Sequence, residues 1–105
     1  MRITVPTARV LAALLADPQA DRYGLDLMQS TGLASGTLYP LLHRLMEAGW
    51  LTTRWEEVDP AAQGRPARRY YRLTAAGATQ ARQALAEMQA ATVVPEPTHT
   101  VRPAW

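Results

Sequence analysis

Cysteine, lysine and phenylalanine are all missing from this 105-residue chain. Without cysteine there can be no disulfide, no thiol nucleophile and no cysteine-based zinc site. Without phenylalanine the core must be built from Leu, Ala, Val, Met, Trp and Tyr. No apolar run approaches the ~18 residues of a membrane span. The first residues carry neither the charged region nor the cleavage site of a secretion signal. A soluble, cytoplasmic protein without a membrane partner is the expectation. Catalytic machinery is missing too. The two histidines, His43 and His99, have no partners that form a constellation, and "QGRPAR" lacks the strand-to-helix setting of a phosphate loop. No enzyme, metal site or cofactor is expected.

What is present suits one small domain: 48% of the residues are hydrophobic and the net charge is +2. With no lysine, all eleven basic residues are arginine. Arg65, Arg68, Arg69 and Arg72 fall between Pro60 and Arg72 with no acid among them, while Glu56, Glu57 and Asp59 lie just before. Positive charge is therefore local, either a strip meeting an anionic partner or a solvated loop.

Periodicity predicts a helix over Thr4–Ala16 with Val10, Leu11, Leu14 and Leu15 on one face. A short helix follows over Tyr23–Ser30, with Asp21 as its cap and Leu25 and Met28 one turn apart. Gly32 stops it, and Gly24 inside it marks either a weak helix or close packing. A third helix starts at Ser35 or Thr37 and runs to Ala48. Its stripe is Leu38, Leu41, Leu42, Leu45 and Met46. Leu51–Glu57 alternates like a strand, "VDPAAQGRPA" reads as turn throughout, and Arg69–Leu73 returns as a second strand. Tyr70 and Tyr71 point to opposite sheet faces, so one of them packs in the core. Thr74 caps a last helix that reaches Thr92. The expected division is a DNA-binding unit over 1–73, a dimerisation helix over 74–92 and a Pro-rich tail over 93–105.

Helix, helix, helix, strand, basic loop, strand, helix is the order of a mainly α (α+β) winged helix-turn-helix with a two-stranded wing. The third helix would then meet DNA. Within "GTLYPLLHRL" the leucines face inward, and Gly36, Pro40, His43, Arg44 and Glu47 lie opposite, with Thr37 and Tyr39 at the edges. Pro40 costs little if Thr37 is the cap, and removes one hydrogen bond if Ser35 is. Amides at such a helix start attract phosphate. The candidate DNA contacts are therefore Ser35, Gly36, Thr37, Tyr39, Pro40, His43 and Arg44, with Arg65 and Arg68 on the wing. Arg44 could instead pair with Glu47, and Arg69 and Arg72 with Glu56 or Glu57. In the last helix Ala78, Ala81, Leu85 and Met88 form a heptad-like seam suited to a second copy of the chain. Such a homodimer would bind a nearly palindromic double-stranded operator.

"YGLDLMQSTGLASGTLYPLLHRLMEAGWL" followed by "GRPARRYYRLTAAG" resembles the PadR family of bacterial transcriptional regulators, over roughly Val10 to Ala90. The single short C-terminal helix resembles the family's smaller subclass. The resemblance implies a dimeric repressor, released by an aromatic or drug-like small molecule. Trp50, Trp55 and Trp105 offer rings on which a flat ligand could stack. The competing reading is a winged helix that binds protein, its basic wing facing an acidic partner.

Overall fold

The computed structural model describes residues 3–92. Its elements run α1 (Val5–Leu15), β1 (Arg22–Tyr23), α2 (Gly24–Thr31), α3 (Ser35–Glu47), β2 (Leu51–Trp55), α4 (Pro60–Gln63), β3 (Arg69–Leu73) and α5 (Ala75–Thr92). The tail over 93–105 lies outside the described residues. The whole is a winged helix: a helical core, a small antiparallel sheet and a long final helix. Among the described residues no helix is long and apolar enough to cross a membrane.

Each helix boundary has a local cause. The Thr4 hydroxyl accepts from the Thr7 amide and caps α1, and Pro6 sits in the first turn, where its missing N–H is not needed. α2 starts at Gly24, one residue later than expected, and Gly32 ends it at φ 73°. Asp21 does not cap it. The side chain goes instead to Arg54 and Arg72, which hold its carboxyl below the usual range, Arg54 foremost. The inward face of α2 is Leu27 and Thr31, whereas Leu25 is 55% exposed.

α3 is capped by Ala34, neither of the two residues expected, and no side chain bonds its first amides. Ser35 is then the first helical residue and Pro40 falls inside the helix. The ring removes the bond that residue 40 would have donated to Gly36. The loss is sustained because Leu38, Leu41, Leu42 and Leu45 are buried on the other side. Fully burying one leucine contributes about 1.5–3 kcal/mol, comparable with the ~3 kcal/mol cost of an interior proline.

The sheet has three strands rather than two. β1 pairs with β3 (Arg22 with Tyr71, Tyr23 with Tyr70), and β3 pairs with β2 from Leu51–Leu73 to Trp55–Arg69. A two-residue strand is too short to show periodicity, so β1 leaves no mark in the hydrophobic pattern. Tyr71 is buried in the core while Tyr70 faces the other way, as alternation requires. The loop also holds a single helical turn, α4, capped by the Asp59 carboxylate on the Ala61 amide.

At the wing's base one carboxylate gathers four donors. Glu56 accepts from Arg65 Nη1 (2.6 Å) and Nη2 (3.1 Å), from the Arg68 amide (3.3 Å) and from the Tyr70 hydroxyl (3.0 Å). Arg65 above all holds the Glu56 carboxyl at about 2. Where α5 meets β2, the Thr74 amide donates to the Trp50 carbonyl (2.9 Å). The Thr74 hydroxyl donates to Gly49 O (2.8 Å) and accepts from the Gly77 amide. A Cβ at Gly77 would overlap the Trp50 backbone.

The core joins α1, α2, α3 and the sheet, and α5 completes it. Ala78 is 9% and Ala81 0% exposed, both inside the protein's own core. They were expected in an intersubunit seam. α5 packs on α1 and β3, and its small residues Ala78 and Ala81 belong to the same core cluster as Val10, Leu14 and Leu73.

Two outcomes are expected. Gly77→Val should destabilise the fold by about 2 kcal/mol or more in urea titration, because backbone rather than a flexible side chain must move. Glu56 titrates lower in the folded chain than its ordinary 4.5, so its stabilisation is complete above that value and lost as pH falls toward about 2. Over that interval the melting temperature of wild type should fall more steeply than that of Glu56→Gln, and parallel acid curves would refute the role given to this carboxylate.

Candidate nucleic-acid interface

The outward side of α3 carries every residue singled out on it. Ser35, Gly36, Thr37, Tyr39, Pro40, His43 and Arg44 are all exposed. The Thr37 amide is already used, donating to Ala34 O at 3.0 Å, which leaves those of Ser35 and Gly36 ahead of the first intrahelical bond. A Cβ at Gly36 would meet nothing within the chain. The fold does not demand glycine there, and its absence of side chain keeps the backbone open to a partner.

His43 pairs with Glu47, Nε2 to Oε1 at 3.0 Å, in an exposed i,i+4 arrangement. Glu47, the expected alternative partner of Arg44, is taken by His43 one turn earlier on the helix. Arg44 makes no ion pair among the described residues. Tyr39, 45% exposed, lies against Gly24, where a Cβ would overlap its hydroxyl and ring. Of the two readings of Gly24, close packing is the one observed.

The wing distributes its arginines differently from expectation. Arg65 is bound by Glu56, with its side chain 31% exposed. Arg54 and Arg72 share Asp21 on the outer sheet face (2.6 and 3.2 Å). The cross-strand partners foreseen for Arg69 and Arg72, Glu56 and Glu57, are not used. Arg72 finds an acid from the α1–β1 loop, and Arg69 bonds the Thr53 hydroxyl (2.9 Å) beside the Trp55 and Tyr71 rings. Arg68 stacks over Tyr23 at 4.3 Å. So Arg44, Arg68 and Arg69 are the cations of this surface without a carboxylate partner among the described residues. Tyr23 came from a strand the sequence reading did not contain, and so did its stacking role.

Of the three tryptophans, Trp50 packs partly against the core, Trp55 is 63% exposed at the wing's edge, and Trp105 lies outside the described residues. On the far side of the molecule, Leu85 and Met88 of α5 line a shallow cavity of about 460 Å³ with Val5, Ala8 and Ala12 of α1.

The profile of the transcriptional regulator PadR-like family matches residues 10–83. No curated protein matches the chain. Among solved structures, smu.1704 from Streptococcus mutans UA159 is 31% identical with a TM-score of 0.64, over 87% of this chain and 86% of that one. A PadR family transcriptional regulator from Eggerthella lenta is 25% identical with a TM-score of 0.65, over 83% and 78%. The PcaV transcriptional regulator from Streptomyces coelicolor is 29% identical with a TM-score of 0.65, over 83% and 58%. The chain thus spans little more than half of PcaV, and 60% of an AbfR chain whose fold it shares. A profile match over most of the chain, on a winged helix with these neighbours, places the protein in the PadR-like family of transcriptional regulators.

Proposed function

We propose that the protein is a homodimeric, DNA-binding repressor, with α3 in the major groove and the β2–β3 wing beside it. The observation that carries this reading is the polar side of α3. It holds an arginine without a carboxylate partner among the described residues, two leading amides and a glycine whose Cβ position is open, all on one exposed strip. Ser35, Gly36 and Thr37 hold phosphate, Tyr39 and Pro40 shape the approach, and His43 and Arg44 reach base edges. On the wing the contact belongs to Arg68. Arg65 reaches a phosphate only by exchanging Glu56 for it.

Dimerisation uses Leu85 and Met88 with the exposed flank of α1. Val5 is 58% exposed there, and the cavity between the helices is lined mostly by apolar side chains. Ala78 and Ala81 support this contact from beneath. A two-fold pair of recognition helices sits about 34–36 Å apart and selects a nearly palindromic operator. PcaV has been solved with its natural ligand. By analogy, release from DNA comes from a small aromatic or drug-like molecule, which acts through different affinity for DNA-ready and DNA-unready dimers. A winged helix that binds an acidic protein remains the rival, and salt separates the two. Counterion release makes log affinity for DNA fall linearly with log salt.

Arg44→Ala should weaken duplex binding about tenfold and reduce the salt slope by about 0.9. Arg68→Ala should reduce the slope similarly, while Arg65→Ala should change it little; equal losses at both positions would mean that Arg65 leaves Glu56 on binding. Charged residues at Leu85 and Met88 should give monomers in sedimentation velocity, and a persisting dimer would assign those side chains to internal packing.

A further inference from the structure

Three of the four large apolar side chains exposed on the described surface gather in one place: Leu25 at 55%, Tyr39 at 45% and Trp55 at 63%. They rim a cleft of about 560 Å³ between the start of α2, the outer edge of α3 and the wing. Its remaining walls include Tyr23, Arg68 and Arg69, and no acidic residue lines it. Solvent alone gives no reason for exposed rings and leucine to converge there, since scattered apolar residues are ordinary but a shared concave patch marks contact. The fold keeps the cleft open by specific means. Gly24 leaves room for the Tyr39 ring at one wall. At the other, Arg65 also lines the cleft but is paired with Glu56, while Arg68 lies over Tyr23 and Arg69 beside Trp55, with no carboxylate partner among the described residues.

The position decides the occupant. A helix lying in the major groove and a wing reaching the adjacent minor groove must straddle the backbone that separates the two. The cleft occupies the space between those elements. A sugar–phosphate ridge presents apolar deoxyribose faces alternating with anionic groups, which matches walls of rings and leucine interleaved with three guanidinium groups, of which only that of Arg65 has a carboxylate partner among the described residues.

We propose that this cleft seats the sugar–phosphate ridge of one DNA strand, with Trp55, Tyr39 and Leu25 against the sugars and Arg68 and Arg69 toward the phosphates. The assignment rests on the DNA-binding reading above and adds Leu25, Trp55 and Arg69 to its contact surface. It divides the interface into a salt-sensitive part, carried by arginine, and a salt-insensitive part, carried by apolar burial.

The test uses the full chain and a mixed-sequence duplex of about 30 base pairs, long enough for two half-sites, at low salt where non-specific binding is strong. Trp55→Ala should bind about tenfold more weakly with an unchanged salt slope. Trp55→Phe should recover most of the affinity but lose the change in tryptophan emission that wild type shows on adding duplex. Trp55 lies on the surface, so unchanged melting temperatures would confirm that both variants are folded. Duplex binding that is equal in wild type and Trp55→Ala, with emission indifferent to DNA, overturns the cleft assignment and leaves the DNA-binding reading intact. Absence of any duplex binding by wild type overturns both. An emission change with benzoate as a small aromatic probe, but none with duplex, overturns the strand assignment and makes the cleft a small-molecule pocket.

Discussion

The burial of Leu38, Leu41, Leu42 and Leu45 along one side of α3 decides the rest of the molecule. A helix has only so much circumference. Once four leucines are committed inward at spacings of three, one and three, the rotation of the rod is fixed and its outward residues follow. Truncating a single buried leucine costs about 2–5 kcal/mol, a large share of a small domain's whole stability. Rotating α3 to hide His43 or Arg44 would expose several leucines together. The polar strip is thus held outward by the apolar one, and an interior proline at Pro40 is tolerated because the same burial outweighs the bond it removes.

A second constraint is the disposition of arginine. With no lysine in the chain, every basic side chain is a planar fork suited to carboxylates and to aromatic faces. The sheet uses both habits, and Arg54 uses both at once, pairing with Asp21 and lying over the Tyr70 ring. On its outer face Arg54 and Arg72 share the single carboxylate of Asp21, and at its base Arg65 is balanced by Glu56. Arg68 and Arg69 instead lie beside Tyr23, Trp55 and Tyr71, with no carboxylate partner among the described residues. A ring stabilises a guanidinium without cancelling its charge, so positive charge survives at Arg68 and Arg69 and is offset most fully at Arg65, which has a carboxylate to itself.

Much of this was legible in the sequence. The leucine stripe, the bounds of β3, the Thr74 cap and the reach of the last helix to Thr92 all followed from local periodicity and turn chemistry, and so did the order of elements that makes a winged helix. What was not legible is what distant segments do to one another. β1 is too short to show alternation and exists because β3 offers it an edge. Asp21 looked like a cap by position, but lies within reach of two arginines thirty or more residues away. Ala78 and Ala81 show the limit most clearly. A heptad pattern states that a stripe is apolar and small, and gives no indication of whether the surface opposite belongs to the same chain or another.

That ambiguity has a physical resolution along α5 itself. Its first turns are clamped to the domain by Thr74 on Gly49 and Trp50 and by the contact of Gly77 with the Trp50 backbone, so Ala78 and Ala81 have no choice of partner. Farther on, the helix lies beside α1. Leu85 is partly buried there, and Met88 sits at the edge of the apolar cavity with Val5. The stripe is one feature in sequence and two in space, with an inner half that closes the monomer and an outer half that α1 leaves partly uncovered. Anchoring the inner half rigidly is what gives the outer half a fixed direction. A second copy bound there would be placed at a set angle to α3, which is the requirement for two recognition helices to meet successive turns of one duplex.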